Sequence, residues 1–284
     1  MKKLFAAIAI VLLGWSTAAY AVSGQRSLLL SGRVAWTPLN LPSLVAWWDA
    51  QDAAHISLSG SNVTSWTDKK GGVVASQGTG ANQPTWSATA RNGKPGITFA
   101  SASSHHLAFT PTGLPSGSGN SWIALAGQST NAGFGYAFSY GGNGTAGDRR
   151  SVGANNSGPQ VYADYDSRSN ASAVLWSNTD RFVEAYYNGT AASIVVDGGS
   201  PANATFSIST PLTFGQIGAE ASSAGGGAYW SGVSQQILVL NAILTTCQQQ
   251  KLEGWESWYD GKNGSNLPSG HPYKSGAPLA GGGC

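Results

Sequence analysis

Oxygen-bearing side chains are concentrated in one short stretch of the chain. Asp164, Asp166 and Asn170 lie close together in the sequence, and Asp148 precedes them in a polar segment. Carboxylate and amide oxygens are hard ligands of the kind that Ca²⁺ prefers, although the glycine and closing glutamate of a calcium loop are missing. We therefore expect either a calcium site at these four residues or an ordinary aspartate-rich turn whose carboxylates Arg168 neutralises.

The segment 127–172 also carries side chains of the types that bind sugars. Glycans present apolar ring faces and hydroxyl groups, which aromatic rings and hydrogen-bonding side chains recognise together. The candidate ligand-binding residues are Tyr136, Tyr140, Asn143, Arg149, Tyr162 and Tyr165. In the competing interpretation, half of the aromatic side chains in this segment belong to the protein core, and the strand pattern leaves both interpretations open.

The sequence offers no recognised catalytic motif. It has no Gly-x-Ser-x-Gly nucleophile elbow and no His/Cys/Asp cluster with zinc-ligand spacing. The four glutamates of the chain are Glu184, Glu220, Glu253 and Glu256. Glu253 and Glu256 are interpreted as solvated helix charges, and Glu184 has no partner carboxylate near it in the sequence. These observations favour a protein without catalytic activity, although carboxylates that meet only in space stay open.

Many short strands and one helix must position these residues. Short apolar and alternating runs separated by turn residues predict an all-β sandwich or jelly roll. One helix is predicted over about 245–259, with Thr246 and Gln249 as a capping box. Three apolar side chains share one face of this helix: Leu252, Trp255 and Tyr259.

The first 21 residues have the pattern of a secretory signal peptide. Lys2 and Lys3 precede an apolar run over 4–15, and positions 19–21 read Ala-Tyr-Ala, with small residues suited to cleavage. The run is shorter than the roughly 20 residues of a membrane span, so we expect no stable membrane anchor. The competing interpretations are an uncleaved N-terminal anchor and an apolar arm of a virion protein.

Charge and composition restrict the classes of function. Without residues 1–21, basic and acidic side chains are equal in number at 13 each. A neutral chain without a long Lys/Arg run is a poor nucleic-acid binder. Charged residues make up 10% of the chain, against about 25% in ordinary proteins. This composition is typical of a turn-rich exported protein, so we expect a secreted, extracellular or periplasmic location, with a virion as the alternative.

The two cysteines, Cys247 and Cys284, leave the disulfide state undecided. An exported protein can pair them. The alternatives are a buried Cys247 with a free terminal thiol, or an intermolecular bridge through Cys284.

Four stretches resemble the concanavalin A-like lectin/glucanase superfamily, in the bacterial secreted or phage tail-type variant of its laminin-G-like jelly-roll domain. They are the stretches 44–52, 63–71, 187–198 and 215–259. The resemblance implies a two-sheet antiparallel jelly-roll sandwich with one C-terminal helix over 42–274. Residues 22–41 are then a lead-in segment and residues 275–284 a flexible tail.

The resemblance implies recognition of carbohydrate. Laminin-G-like members bind Ca²⁺ on a loop rim, which adds to the calcium hypothesis, whereas the glucanases use a Glu-x-Asp-x-x-Glu strand that this chain lacks. We therefore predict a non-catalytic, lectin-like exported protein that binds a glycan or another cell-surface ligand. One alternative is a structural or receptor-binding protein of a phage virion, in the tail or on the capsid, which would bind virion proteins or self-associate. A second is a glycoside hydrolase with an unrecognised site.

Overall fold

The computed structural model describes residues 34–130, 133–154, 160–166, 169–222 and 227–283, with the main chain alone at 160 and 162. The predicted signal peptide and most of the predicted lead-in segment lie outside these residues. The strands are β1 Leu44–Asp49, β2 Ile56–Ser59, β3 Asn62–Thr67, β4 Val74–Ser76, β5 Thr85–Arg91, β6 Lys94–Phe99, β7 Leu107–Phe109, β8 Ser121–Ser129, β9 Gly135–Gly141, β10 Arg149–Ala154, β11 Gln160–Asp164, β12 Ser169–Leu175, β13 Asp180–Tyr187, β14 Ala191–Val196, β15 Ala202–Thr205, β16 Phe214–Ile217 and β17 Gly232–Leu240. The helix is α1 Thr246–Tyr259, and short 3-10 turns occupy Pro38–Asn40, Ala53–His55, Gly80–Asn82 and Ser101–Ser103.

Antiparallel pairings join all of these strands into one continuous sheet. The main path runs β15–β14–β13–β8–β17–β6–β5–β3–β4–β7–β16–β9–β10–β11–β12, with β1 beside β17 and β2 beside β3. Strand β17 makes the sheet continuous, because it pairs with β8 along its length and with β6 through Gly232, Val233 and Ser234. The prediction of a two-sheet jelly-roll sandwich is therefore wrong, since the chain forms one nearly closed, barrel-like sheet, with 15 of its 17 strands along the main path.

The two ends of this sheet meet through a side chain. The Asn170 side-chain amide on β12 donates to the main-chain carbonyls of Ala192, at 3.2 Å, and Ala202, at 2.7 Å. These carbonyls belong to β14 and β15 at the other end of the path. The sheet is thus almost closed. At this point its two ends are joined by the side-chain hydrogen bonds of Asn170 and not by main-chain hydrogen bonds between paired strands. Short alternating strands are common to sandwiches and barrels, which is why their pattern did not distinguish the two.

Large aromatic side chains fill the interior of the sheet. Trp48 packs against Phe109 and Phe138, with ring centroids 5.2 and 5.8 Å apart. One cation lies among these side chains, because Arg150 is fully buried. Its guanidinium donates to the Thr210 hydroxyl and to two main-chain carbonyls. Burial of large rings such as these contributes strongly to the hydrophobic stabilisation of a fold.

Helix α1 covers the outer face of the sheet at strands β1, β8, β13 and β17. Its N-cap is Thr245, which forms the capping box with Gln248, one residue earlier than the sequence predicts. The predicted apolar face is confirmed, because Leu252 and Trp255 pack into a second buried cluster and Tyr259 lies against it. The other members of this cluster are Trp36, Leu41, Leu44, Trp47, Trp122, Ala124, Ala126, Phe182, Leu238, Leu240 and Leu244.

The described ends of the chain pair with each other. Ala35 forms a β-bridge with Leu279, and Lys251 on α1 donates to the Gly282 carbonyl at 2.6 Å. Cys247 is disulfide-bonded, and Cys284, the other cysteine of the sequence, lies outside the described residues. Within the described ranges, no helix is long and apolar enough to cross a membrane.

Candidate functional site

The outer face of β9, β10 and β11 carries the candidate site. Side chains alternate between the faces of a strand, so Phe138 and Val152 point into the core while Ser139 and Ser151 face outward. Ser151 lies directly opposite Asp164 in the register, which brings Asp164 to the same outer face. Polar residues of three neighbouring strands therefore meet outside the barrel.

Arg149 is the centre of this site. Its Nη2 atom donates to Asp164 Oδ2 at 2.6 Å and to the Tyr136 hydroxyl at 3.1 Å. The Nη1 atom donates to Glu220 Oε1 at 2.6 Å, and Asp166 Oδ1 lies 3.5 Å from Nη2. The guanidinium thus holds three carboxylates, and the Asp148 side chain interacts with that of Asp166. We call Tyr136, Asp148, Arg149, Asp164, Asp166 and Glu220 the Arg149 cluster.

Tyr136 and Asp164 fix the position of the Arg149 guanidinium. The Tyr136 hydroxyl donates a very short hydrogen bond to Asp164, and the guanidinium carbon lies 5.0 Å from the centre of the Tyr136 ring. Burial raises the pKa of Tyr136 above its usual range, and the negative charge of Asp164 raises it further. The phenol is therefore protonated at neutral pH and acts as a donor to Asp164.

Asp166 has a different environment from the other carboxylates. Its side chain is 21% exposed and its backbone φ is +52°, a left-handed conformation that aspartate adopts more readily than most residues. Burial raises the pKa of Asp166, Arg149 opposes this rise, and Asp148 and Asp164 reinforce it. Asp166 is consequently suited to carry a proton.

Glu220 is a residue of this site that the sequence did not indicate. It follows β16 in the chain, and its main-chain amide donates to the Gly227 carbonyl. Its carboxylate reaches Arg149, 71 residues away in the sequence, with 26% of the side chain exposed. A lone glutamate in a loop carries no local signal of this contact, so the sequence could not have indicated it.

Other predicted sugar-binding residues lie away from Arg149. Tyr140 and Tyr165 belong to the buried core, where the Tyr140 hydroxyl donates to the Pro115 carbonyl at 3.2 Å. Asn143 is exposed on the loop between β9 and β10, and the side chain of Tyr162 lies outside the description. Of the six predicted ligand-binding residues, the structure brings together Tyr136 and Arg149.

Three of the four predicted calcium ligands join the cluster, whereas the fourth does not. Asn170 closes the sheet, as described above. The guanidinium of Arg149 already supplies a positive charge to Asp164 and Asp166. Among the described residues, no group of three or more His, Cys, Asp or Glu side chains is arranged to hold a metal ion. Asp164 and Asp166 are thus paired with a guanidinium and Asn170 bonds elsewhere, so a calcium site at the four residues stays a prediction.

A groove of about 440 Å³ lies on the same outer face. Its lining residues are Val74, Ser76, Ala108, Phe109, Thr110, Thr213, Phe214, Gly215, Gln216 and Ser222. One cross-strand row of small and polar residues connects its floor to the Arg149 cluster: Ser76, Ala108, Gln216, Ser139, Ser151 and Asp164. Directly opposite residues point to the same face of a sheet, so the groove and the carboxylates lie on one face, with the buried residues Ser139 and Ser151 between them.

A second pair of carboxyls, Glu184 and Glu253, lies beneath α1. These residues are 0% and 3% exposed, and Gln249 Nε2 donates to both, at 3.2 and 3.0 Å. Glu253 also bonds to His271 Nε2 at 2.9 Å. The prediction that Glu253 and Glu256 are solvated is wrong, because α1 lays this side against the sheet and Glu256 is 0% exposed. The pair is enclosed, so it offers no surface to a glycan.

We predict that alkaline pH destabilises the protein through these carboxyls. Burial raises the pKa of Glu184, and the neighbouring Glu253 raises it further. The neutral carboxyl is favoured in the folded state, so its stabilisation is fully present below the unfolded value of about 4.3 and is lost as pH rises through the folded pKa. The midpoint of thermal unfolding should fall by at least about 3 °C between pH 5 and pH 9. In Glu184→Gln the fall should be smaller, and an equal fall would contradict this assignment.

No protein-family model and no curated protein match the sequence. A GH54 α-L-arabinofuranosidase soaked with a cyclic sulfate inhibitor shares the fold with a TM-score of 0.55 and 12% identity, over 71% of this chain and 51% of that one. An arabinofuranosidase complexed with arabinofuranosyl-α-1,2-xylobiose has a TM-score of 0.54 and 12% identity, again over 71% of this chain and 51% of that one. A Trypanosoma rangeli sialidase has a TM-score of 0.47 and 14% identity, over 76% of this chain and 33% of that one.

These similarities concern the fold. The chain spans about half the length of the arabinofuranosidase chains that it matches. At this identity, the likeness shows a shared β architecture, found in structures of carbohydrate-active enzymes. The comparisons provide no support for the predicted laminin-G-like family or for virion partners.

Proposed function

We propose that this protein binds glycans in the outer groove and hydrolyses a glycosidic bond at the Arg149 cluster. The observation that carries the proposal is that two partly exposed carboxyls, Asp166 and Glu220, flank one guanidinium in different environments. Glycoside hydrolysis needs two such carboxyls, one that donates a proton to the leaving oxygen and one that acts as a carboxylate. This proposal replaces the non-catalytic function expected from the missing glucanase motif.

The environments of the two carboxyls suit different roles. The raised pKa of Asp166 favours the protonated form that a general acid requires. Glu220 forms an ion pair with Arg149 Nη1 at 2.6 Å, so it is suited to act as nucleophile or base. Both contact the same guanidinium, Asp166 Oδ1 at 3.5 Å from Nη2 and Glu220 Oε1 at 2.6 Å from Nη1, so both carboxyls lie close enough to act on one glycosidic bond, as a glycosidase pair must. Asp164 and Tyr136 keep Arg149 in position between Asp166 and Glu220.

A carbohydrate ligand is also supported by the groove and the fold. The groove offers the apolar surfaces of Val74 and Phe214 beside the amide of Gln216, a combination that suits the apolar faces and hydroxyl groups of sugars. The two arabinofuranosidase structures with TM-scores above 0.5 share this fold. Function cannot be taken from a fold alone. The two structures therefore support a carbohydrate as the class of ligand, whereas the proposed reaction rests on the two carboxyls, Asp166 and Glu220.

The second candidate function is glycan binding without hydrolysis. This function is favoured because Arg149 already forms ion pairs with Glu220 and Asp164, each with a nitrogen–oxygen distance of 2.6 Å. Carboxylates held in this way are well suited to accept hydrogen bonds from sugar hydroxyls. In this case the groove and the cluster bind glycans, as the sequence analysis predicted, and no bond is cleaved.

We predict that Glu220→Gln lowers hydrolysis at least about 100-fold, because removal of one catalytic carboxyl has effects of that size or larger. The assay measures reducing sugar released from arabinoxylan, β-glucan and chitin. Asp52→Asn is the matched control, since it also removes one carboxylate, paired with Lys69 outside the cluster, and should leave release unchanged. Binding without release by the wild-type protein would establish the second function, and neither binding nor release would reject both.

We also propose that the protein is exported. The charged and apolar pattern of residues 1–21 supports a cleaved signal peptide. N-terminal sequencing of the mature protein should begin at Val22. A mature chain that retains Met1 would contradict cleavage.

A further inference from the structure

Gln216 brings a hydrogen-bond acceptor without a partner to the floor of the groove. It lies on the outer face of β16, between Ala108 of β7 and Ser139 of β9 in the register, and it is 3% exposed. Its Oε1 atom is buried without a hydrogen-bond partner, the one such side-chain atom among the described residues that line the groove. Native proteins leave few buried polar groups unpaired, because each one destabilises the fold. This acceptor therefore points to a ligand that donates to it.

The residues on either side of Gln216 do not supply the missing donor. Ala108 has no polar side-chain atom, and the Ser139 hydroxyl donates to the Ala219 carbonyl at 2.8 Å. The last side-chain torsion of glutamine is broad, so its rotation turns either end of the amide towards the groove. A ligand in the groove thus meets one amide, with an acceptor at Oε1 and two donors at Nε2.

Apolar side chains stand beside this amide. Phe214 lies two residues before Gln216 on β16, so the two side chains share the outer face. Val74, which is 48% exposed, lines the groove from β4. The lining residues of the groove are all uncharged. The chemical group that fits this surface is therefore neutral, carries both a donor and an acceptor, and has an apolar part.

We propose that the groove selects N-acetylated glycans and that Gln216 determines this specificity, an inference that rests on the proposed binding of glycans in the groove. An acetamido group is neutral and has an N–H donor, a carbonyl acceptor and a methyl group. Its N–H donates to Gln216 Oε1, its carbonyl accepts from Nε2, and its methyl group packs against Phe214. The hydroxyl of an unsubstituted sugar places donor and acceptor on one atom, so it pairs less well with the two ends of the amide.

The test compares the β-1,4-linked tetramers of N-acetylglucosamine and glucose by titration calorimetry. Both tetramers are uncharged, and they differ only in the substituent at carbon 2, which is acetamido in one and hydroxyl in the other. We expect the N-acetylglucosamine tetramer to bind at least about tenfold more tightly, because two ordinary hydrogen bonds supply a ratio of this size. Equal binding, or tighter binding of the glucose tetramer, would overturn the selection.

The variant Gln216→Leu separates the amide from the apolar surface around it. Leucine removes the acceptor and the donors but keeps most of the side-chain volume, so the ratio of the two affinities should fall at least about fivefold. Gln250→Leu on α1, outside the groove, is the matched control and should leave the ratio as it is in the wild-type protein. An unchanged ratio in Gln216→Leu would assign the preference to the methyl group and reject the role of Gln216.

The stability of Gln216→Leu distinguishes a ligand-binding role from a structural one. The midpoint of urea unfolding should stay the same or rise, since the variant removes an acceptor that has no partner in the folded protein. A lower midpoint would show that the amide stabilises the fold, which contradicts its assignment to a ligand.

The outcomes also separate this inference from the proposed function. If both tetramers bind equally, selection of acetamido groups fails and glycan binding in the groove stands. If neither tetramer binds but the protein releases sugar from arabinoxylan or β-glucan, the inference again fails and the proposed function stands. No binding and no release would overturn both.

Discussion

Replacing Arg149 with alanine is expected to lower the free energy of unfolding by about 3 kcal/mol, the lower end of the cost of breaking a buried ion pair. The change leaves Asp164, at 6% side-chain exposure, without its cation. It also removes the charge that holds Asp166 and Glu220 together. Urea unfolding measures the loss, and glycan binding and hydrolysis should disappear in the same variant.

Two further variants separate the possible causes of this effect. Arg149→Lys keeps the charge but cannot contact three carboxylates with a planar fork, so it should recover part of the stability and little of the activity. Arg91→Ala removes a pair with Asp180 in which the arginine is 26% exposed, and should cost at most about 1 kcal/mol. If Arg149→Ala costs no more than Arg91→Ala, the cluster is not held together by Arg149.

Replacing Trp255 with alanine is expected to cost about 3 kcal/mol or more, as large-to-small changes at buried tryptophans do. Trp255 lies edge-on to Trp47, with ring centroids 5.5 Å apart, and stacks on Tyr259 at 4.7 Å. These contacts fix α1 on the sheet and keep Glu253 beneath it. The measurement is again urea unfolding, with near-ultraviolet circular dichroism to report the loss of tryptophan packing.

Gln250→Ala provides the matched control for the helix. Gln250 lies on α1 and is half-buried, and alanine has the higher helix propensity, so this change should alter the free energy of unfolding by less than about 0.5 kcal/mol. If Trp255→Ala had an equally small effect, the second cluster would not stabilise the protein.

The helix shows how far the sequence can predict this fold. Its capping residues and its apolar face lie within a few positions of one another, and the prediction erred by one residue at the cap. The closure of the sheet was not predictable in this way. It depends on β17 pairing with two strands that lie more than 100 residues earlier, and the alternation in β17 is the same whether these neighbours form one sheet or two.

The candidate site divides in the same manner. The sequence indicated the segment 127–172, and Tyr136, Arg149, Asp164 and Asp166 in it do meet. It could not reveal Glu220, whose contact with Arg149 spans 71 residues. It also misjudged Tyr140 and Tyr165, because an aromatic residue in a strand has the same identity whether it faces the core or solvent.

By itself, then, the sequence determined what depends on near neighbours: the all-β class, the helix and the type of chemistry in the polar segment. It did not predict β10, because the Gly/Asn-rich stretch 141–158 has the composition of an exposed loop. The tertiary structure alone decided the closure of the barrel, the burial of Glu184 with Glu253, and the ion pairs that surround Arg149. The physical reason is that charge and burial depend on neighbours in space. A carboxyl acquires its pKa and its role from residues that the fold brings to it, however far away they lie in the chain.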